Sequence, residues 1–194
     1  MEKSFNEKDS LMLISEMLEN TKARFNENGF FFLLWGWLVL ISSISHFVFF
    51  MAGYTYFYIV WPIIMTGGGI VSAIAGYRKQ KESKVKTFID TSMSFLWIGF
   101  VISLFILFVI VILGNIEWHI LSILIMLLYG LPTFVSGGVL KFKPLIYGAL
   151  VCWILAVLSL FIGKDYVILM LALSVLLAYL IPGYMLKSKF NKNV

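Results

Sequence analysis

Arg78-Lys79-Gln80-Lys81-Glu82-Ser83-Lys84-Val85-Lys86 is the stretch whose reading decides the fold: five basic residues and one acid interrupt sequence that is almost wholly apolar on either side. A segment so charged cannot sit in hydrocarbon, and short connections rich in Lys and Arg face the cytoplasm. The stretch therefore sets the sense of the apolar segments before and after it.

The rest of the composition agrees. Of 194 residues, 61% are hydrophobic and 13% charged, with a mean hydropathy of +0.96, whereas about a quarter of the residues of a soluble domain are charged. The chain reads as all-α, a polytopic membrane protein. Its net charge of +5 is confined to connections between apolar runs, which marks topology and excludes nucleic acid as a partner. The single cysteine, Cys152, lies in an apolar run and reads as a buried, inert thiol, with neither a disulfide framework nor a zinc pattern around it. No cleaved signal peptide is expected, because the start is long and acidic.

Six apolar spans are expected, at 30–52, 56–77, 88–113, 118–140, 145–162 and 166–186, most of them near the ~20 residues that cross a ~30 Å hydrocarbon core. The connections after the first, third and fifth spans are tiny. Fourteen of the fifteen Lys and Arg residues fall before the first span or after the second, fourth and sixth, and only Lys164 falls on the other side. This distribution predicts three consecutive hairpins of one sense, with both termini cytoplasmic. Lipid bilayer is thus the first partner, and the domain plan is a helix at 1–29, a transmembrane domain at 30–187 and a tail at 188–194.

The amino-terminal segment predicts an amphipathic helix over 4–27. Ser4 and Glu7 have capping-box spacing, Leu11, Ile14, Met17, Leu18 and Phe25 recur at helical intervals, and Asn28-Gly29 supplies a stop. Four basic against six acidic residues over 1–28 make it unlike a membrane-surface helix, whose polar face is usually cationic. It is expected to dock on a membrane or cytoplasmic protein, or on the basic connection itself; the bland alternative is a solvated tail.

Glycine and proline punctuate the spans. Gly68, Ser72 and Gly76 form a small-residue stripe suited to close helix packing in lipid, which makes the second span the candidate centre of the bundle and a candidate surface for homo-oligomerisation. Pro62, Pro132 and Pro182 each free a carbonyl and are candidate kinks. Trp35, Trp97 and Trp153 early in the odd spans, and the similar Pro62–Gly68 and Pro132–Gly138 motifs, suggest a repeated hairpin. The two motifs would lie at depths differing by about 10 Å, which weighs against it.

Few residues could carry chemistry. Asp90, early in the third span, is a candidate cation or proton site, although a carboxylate near a helix N-terminus is favoured by the dipole alone. His46, His119 and Glu117 fall at the outer boundary, with Asp165 at a similar level, and are candidate metal ligands or a protonation switch, but nothing in their spacing makes them converge. Ser42, Ser45, His46 and Thr66 are candidates for a polar path; hydroxyls bonding to their own helix are the simpler reading. The exposed-level aromatics, Trp61, Trp118 and Tyr166 among them, fit interfacial belts. No phosphate-binding loop and no HExxH occurs. The expectation is no enzyme and no cofactor, with a membrane protein acting by association and a channel or carrier for a small uncharged solute as the alternative.

The stretches LMLISEMLENTKARFNENGFFFLLWGW at 11–37, LKFKPLIYG at 140–148 and YLIPGYMLK at 179–187 resemble an uncharacterised family of small bacterial six-helix membrane proteins with a short cytoplasmic N-terminal helix. That resemblance implies a bacterial cytoplasmic (inner) membrane and brings no activity or site residues. The hairpin layout also looks like bacterial acid-resistance membrane proteins built from two-helix repeats.

Overall fold

The computed structural model describes the backbone of residues 7–82 and 88–191, and the side chains of 29–78 and 91–188. Within these, the elements are α1 (Glu7–Met51), α2 (Val60–Glu82), α3 (Phe88–Leu113), α4 (Trp118–Val139), α5 (Lys143–Leu158), α6 (Val167–Val175), a π-turn (Leu176–Leu180) and α7 (Ile181–Asn191). Short 3-10 turns sit at Phe57–Ile59, Ser159–Phe161 and Lys164–Tyr166, and no strand occurs among the described residues. Six stretches are long and apolar enough to cross a membrane: Gly29–Met51, Phe57–Arg78, Thr91–Leu113, Trp118–Val139, Lys143–Phe161 and Lys164–Ser188. These match the expected spans to within a few residues at each end.

Three helices end alike. After α1, α3 and α4 the chain places one residue in the left-handed region, Gly53 at φ 78°, Asn115 at φ 50° and Lys141 at φ 50°. The next N–H then reaches back five residues: Tyr54 donates to the Phe49 carbonyl at 3.0 Å, Ile116 to Val111 at 3.1 Å and Phe142 to Gly137 at 2.8 Å. This is the Schellman pattern, which satisfies carbonyls that a helix end would otherwise leave loose. Pro144 then sits in the first turn of α5, where its missing N–H does no harm.

The core is built by α4, α5 and the last span, closed on one side by α1. The tightest pairing of consecutive helices is α4 with α5, across the turn at Lys141, rather than any of the three expected hairpins. Glycine makes this approach feasible: a Cβ on Gly130 would stand 2.1 Å from Trp153 Nε1, and one on Gly137 would stand 2.8 Å from Ile146 Cγ1. The first and last spans are neighbours as well, with Gly36 against Tyr179 and Leu180, and Gly183 against Phe32 and Leu33.

Two expectations need correction. The stop at Asn28-Gly29 does not break the helix, because α1 runs on through it. Gly29 is buried against the Gly183 carbonyl and Leu186 of α7, where a Cβ would stand at an ordinary 3.6 Å, so the residue packs within the helix and makes no turn. Nor is the second span central: 6% of it is buried, as of the third span, against 50% of the fourth and 56% of the sixth. α2 leans on α1 and α3 leans on α4, both at the rim.

Candidate functional site

The sixth span carries the one π-turn among the described helices, and its position has a local cause. Pro182 has no N–H to offer the Ala178 carbonyl one turn back, and a π-turn, with its longer hydrogen-bond spacing, accommodates such a loss. Gly148 of α5 presses against the same place, where a Cβ would lie 2.8 Å from Ala178 Cα. The irregular turn is thus gripped by α5 on one side and by Gly36 of α1 on another.

Tyr179, inside this turn, is fully buried. Its hydroxyl lies 3.0 Å from Thr133 Oγ1, which lies 2.7 Å from the Tyr129 carbonyl. A threonine hydroxyl has one proton, so Thr133 donates to the carbonyl and accepts from Tyr179. Around this chain the aromatic rings close a loop. Phe32 contacts Trp97 at 5.9 Å, Trp97 contacts Phe100 at 5.6 Å, Phe100 contacts Tyr129 at 4.9 Å, Tyr129 contacts Tyr179 at 5.2 Å and Tyr179 returns to Phe32 at 5.3 Å. These edge-on and tilted contacts are favoured geometries for aromatic pairs. Five rings from α1, α3, α4 and the π-turn therefore meet at one node. Cys152 is buried nearby in the core, with Sγ 3.8 Å from the Ser174 carbonyl.

At the end of the bundle remote from Arg78 and Lys141, a second cluster joins two connections. Glu117, just before α4, pairs with Lys164 between α5 and α6, and its Oε2 also lies 3.1 Å from His119 Nδ1. The hydrogen bond from Lys164, aided by the charges of Lys164 and His119, holds the Glu117 carboxyl below its ordinary value. His46 is not part of this cluster through any contact of its own ring: its Nδ1 accepts a hydrogen bond from Trp61 Nε1 at 3.1 Å, and Phe57 stacks edge-on at 4.8 Å. Among the described residues no three His, Cys, Asp or Glu side chains gather to hold a metal. Of the three candidate ligands, the structure brings together Glu117 and His119 only.

The candidate polar path is spread over α1 and α2. Ser42 is buried on α1, Ser45 and His46 are partly buried, and Thr66 is exposed on α2. Of the small-residue stripe, Gly68 alone makes a tight contact, with Leu38 and Trp35 of α1, whereas a Cβ on Gly76 would meet nothing within 4 Å. The Ser72 hydroxyl is buried without a hydrogen-bond partner. Asp90 falls in the first turn of α3, and its side chain lies outside the described residues. The basic connection at 83–87 and the capping pair at Ser4 lie outside them too.

Sequence reasoning missed the Tyr129–Thr133–Tyr179 node. Its only sequence-level signals were Thr133 next to Pro132 and Tyr179 three residues before Pro182. Comparison of the chain with protein-family models, with curated proteins and with solved structures found no match. The class defined by the fold is therefore an all-helical bundle with six helices suited to crossing a membrane.

Proposed function

We propose that this is a non-enzymatic, multi-pass membrane protein that acts by association, docking a protein partner on the amino-terminal half of α1. Its spans thread as three consecutive hairpins of one sense in the inner membrane of a bacterium, with both ends and the 78–86 connection cytoplasmic. The one-sided distribution of Lys and Arg supports that orientation, and the family resemblance supports the compartment.

The observation that carries the reading is the continuity of α1. It runs for 45 residues, about 68 Å, against a hydrocarbon core of about 30 Å. The part from Glu7 to Asn28 therefore extends as an arm of roughly 33 Å beyond the candidate span that begins at Gly29. A helix standing alone in water is marginal unless an apolar face is covered. Leu11, Ile14, Leu18 and Phe25 supply such a face by spacing, and the acidic excess of the segment makes an anionic lipid surface a poor cover. A protein surface with an apolar groove and basic flanks is the cover that fits both. The test is a photocrosslinking amino acid placed in turn at Leu11, Ile14, Leu18, Glu16 and Glu19 in living cells. A discrete adduct is expected from the apolar positions and not from the glutamates; no adduct from any apolar position removes the reading.

A second reading, passage of a small uncharged solute, draws on two facts. The Ser42 and Ser43 hydroxyls are buried without a hydrogen-bond partner, a situation costing about 1–3 kcal/mol each, and a bound water or neutral solute would satisfy them. Against it, the centre of the bundle is filled by Met126, Leu145, Leu171 and Tyr179. Solute flux into proteoliposomes separates the two readings.

A further inference from the structure

Buried hydroxyls in this bundle are of two kinds. Thr133, Ser159 and Ser174 bond to a carbonyl of their own helix at 2.7, 2.7 and 2.8 Å, which is how a span ordinarily satisfies a hydroxyl. Ser42 and Ser43 do not: both are fully buried on α1, and neither oxygen has a hydrogen-bond partner. Ser42 lies nine residues, about 14 Å, inside the end of the span at Met51, too deep for bulk water to serve it. A third polar group belongs to the same stretch of helix. His46 Nδ1 accepts from Trp61 Nε1 at 3.1 Å, so the imidazole is neutral with its proton on Nε2, and the bond to Trp61 leaves that N–H unused. Spacings of four and three set His46 on the same face as Ser42 and Ser43, and a helical side chain leans back toward the preceding turn, where the two serines are. Phe57, edge-on at 4.8 Å, covers the ring.

We infer that one water molecule is held on α1 between the His46 Nε2–H and the Ser42 and Ser43 hydroxyls, as a fixed part of the first span. It accepts from the imidazole and shares its other hydrogen bonds with the two hydroxyls, which gives it the two to four partners that a buried water takes. Side chains one turn apart have Cβ atoms about 5–6 Å from each other, a gap that one water bridges and a larger solute does not fit. The core beyond is filled by Met126, Leu171 and Tyr179. Through His46 and Trp61 the water ties the start of α2 to the middle of α1. Neither the arm of α1 nor passage of a solute is needed for this site.

Water-edited solid-state NMR of the full chain in bilayers, with isotope-labelled histidine, reads the transfer of magnetisation from water to the His46 side chain, whose signals are assigned by their loss in His46→Gln. Clear transfer to Nε2–H is expected from the natural chain, with Nδ1 at the shift of a hydrogen-bond acceptor. Ser42→Ala combined with Ser43→Ala should lower that transfer at least threefold, and each single substitution should lower it part of the way. Ser72→Ala, which removes another unpartnered hydroxyl on a different helix, should leave it unchanged. No transfer in the natural chain overturns the inference. Transfer that survives the double substitution comes from water at the bilayer surface and overturns it too, as does an equal loss in Ser72→Ala. Ser42→Ala should also lower the melting temperature of the bundle; a rise, the result for a hydroxyl left dry and unpaired, contradicts the water independently.

Discussion

Thr133 Oγ1 on α4 lies 3.0 Å from the Tyr179 hydroxyl on the π-turn of the last span, and this bond is the polar link at the centre of a ring of five aromatic side chains. Hydrogen bonds between helices in a membrane contribute about 0.6 kcal/mol on average and up to about 1.7. Tyr179→Phe and Thr133→Val should each destabilise the bundle by about 1 kcal/mol, the latter more because it leaves a buried phenol unpaired. The double variant should lose less than the sum, since both remove one interaction. Reversible unfolding in mixed micelles measures all three, and strict additivity would show that the bond contributes nothing.

The α4–α5 contact should be intolerant of a single methyl group. Gly130→Ala places a carbon 2.1 Å from Trp153 Nε1, and the indole is rigid and bonded to the Leu127 carbonyl at 3.1 Å. A loss of roughly 1–3 kcal/mol is expected. Trp153→Phe in the same chain should recover part of it by freeing space. A Gly130→Ala protein as stable as the parent would mean that the two helices are further apart than described.

The Glu117–Lys164 pair gives a pH dependence of definite sign. The carboxyl is held below its ordinary value of 4.5, chiefly by the Lys164 hydrogen bond, so the pair stabilises the fold above that value. Its contribution is lost as pH falls through the lowered one. Glu117 is exposed and the effect should be small. The melting temperature of the natural chain should fall more steeply with acidification below about pH 4.5 than that of Glu117→Gln or Lys164→Gln. Identical acid slopes would place the pairing elsewhere.

Lys141 holds φ at 50°, a conformation costing a residue with a side chain about 1–2 kcal/mol. Lys141→Gly should therefore stabilise the α4–α5 turn by about 1 kcal/mol. Lys143→Gly, at the start of α5, should give no gain. A stability loss in Lys141→Gly would show that the lysine side chain does more for the turn than its backbone costs.

Much of the architecture was legible because membrane spans announce themselves by length and by charged connections, and the six ranges followed from Arg78–Lys86 outward. What was not legible has a common cause: a span's apolar sequence says little about which neighbour it meets. Gly68, Ser72 and Gly76 are small in any arrangement, and only Gly68 proved to be pressed against α1. Asn28-Gly29 has the chemistry of a helix stop, but the packing of Gly29 on α7 overrides it. Phe32, Tyr129 and Tyr179 sit in three different spans, and no periodicity within one span could bring them to one node. By residue type His46 pairs with His119 as a candidate ligand, yet it is Trp61, fifteen residues away on the adjoining helix, that donates to its ring nitrogen.

α1 is one unbroken helix from Glu7 to Met51, and the proposed docking arm depends on that continuity. Spin labels at Ser15→Cys and Phe50→Cys, in a Cys152→Ala background in bilayers, measure this directly. A continuous helix predicts a narrow distance distribution near ~52 Å, from 1.5 Å per residue. A right-angle bend at Asn28-Gly29 predicts about 38 Å by the same rise, and a distribution centred there, or spread broadly below ~45 Å, would contradict the arm and the function built on it.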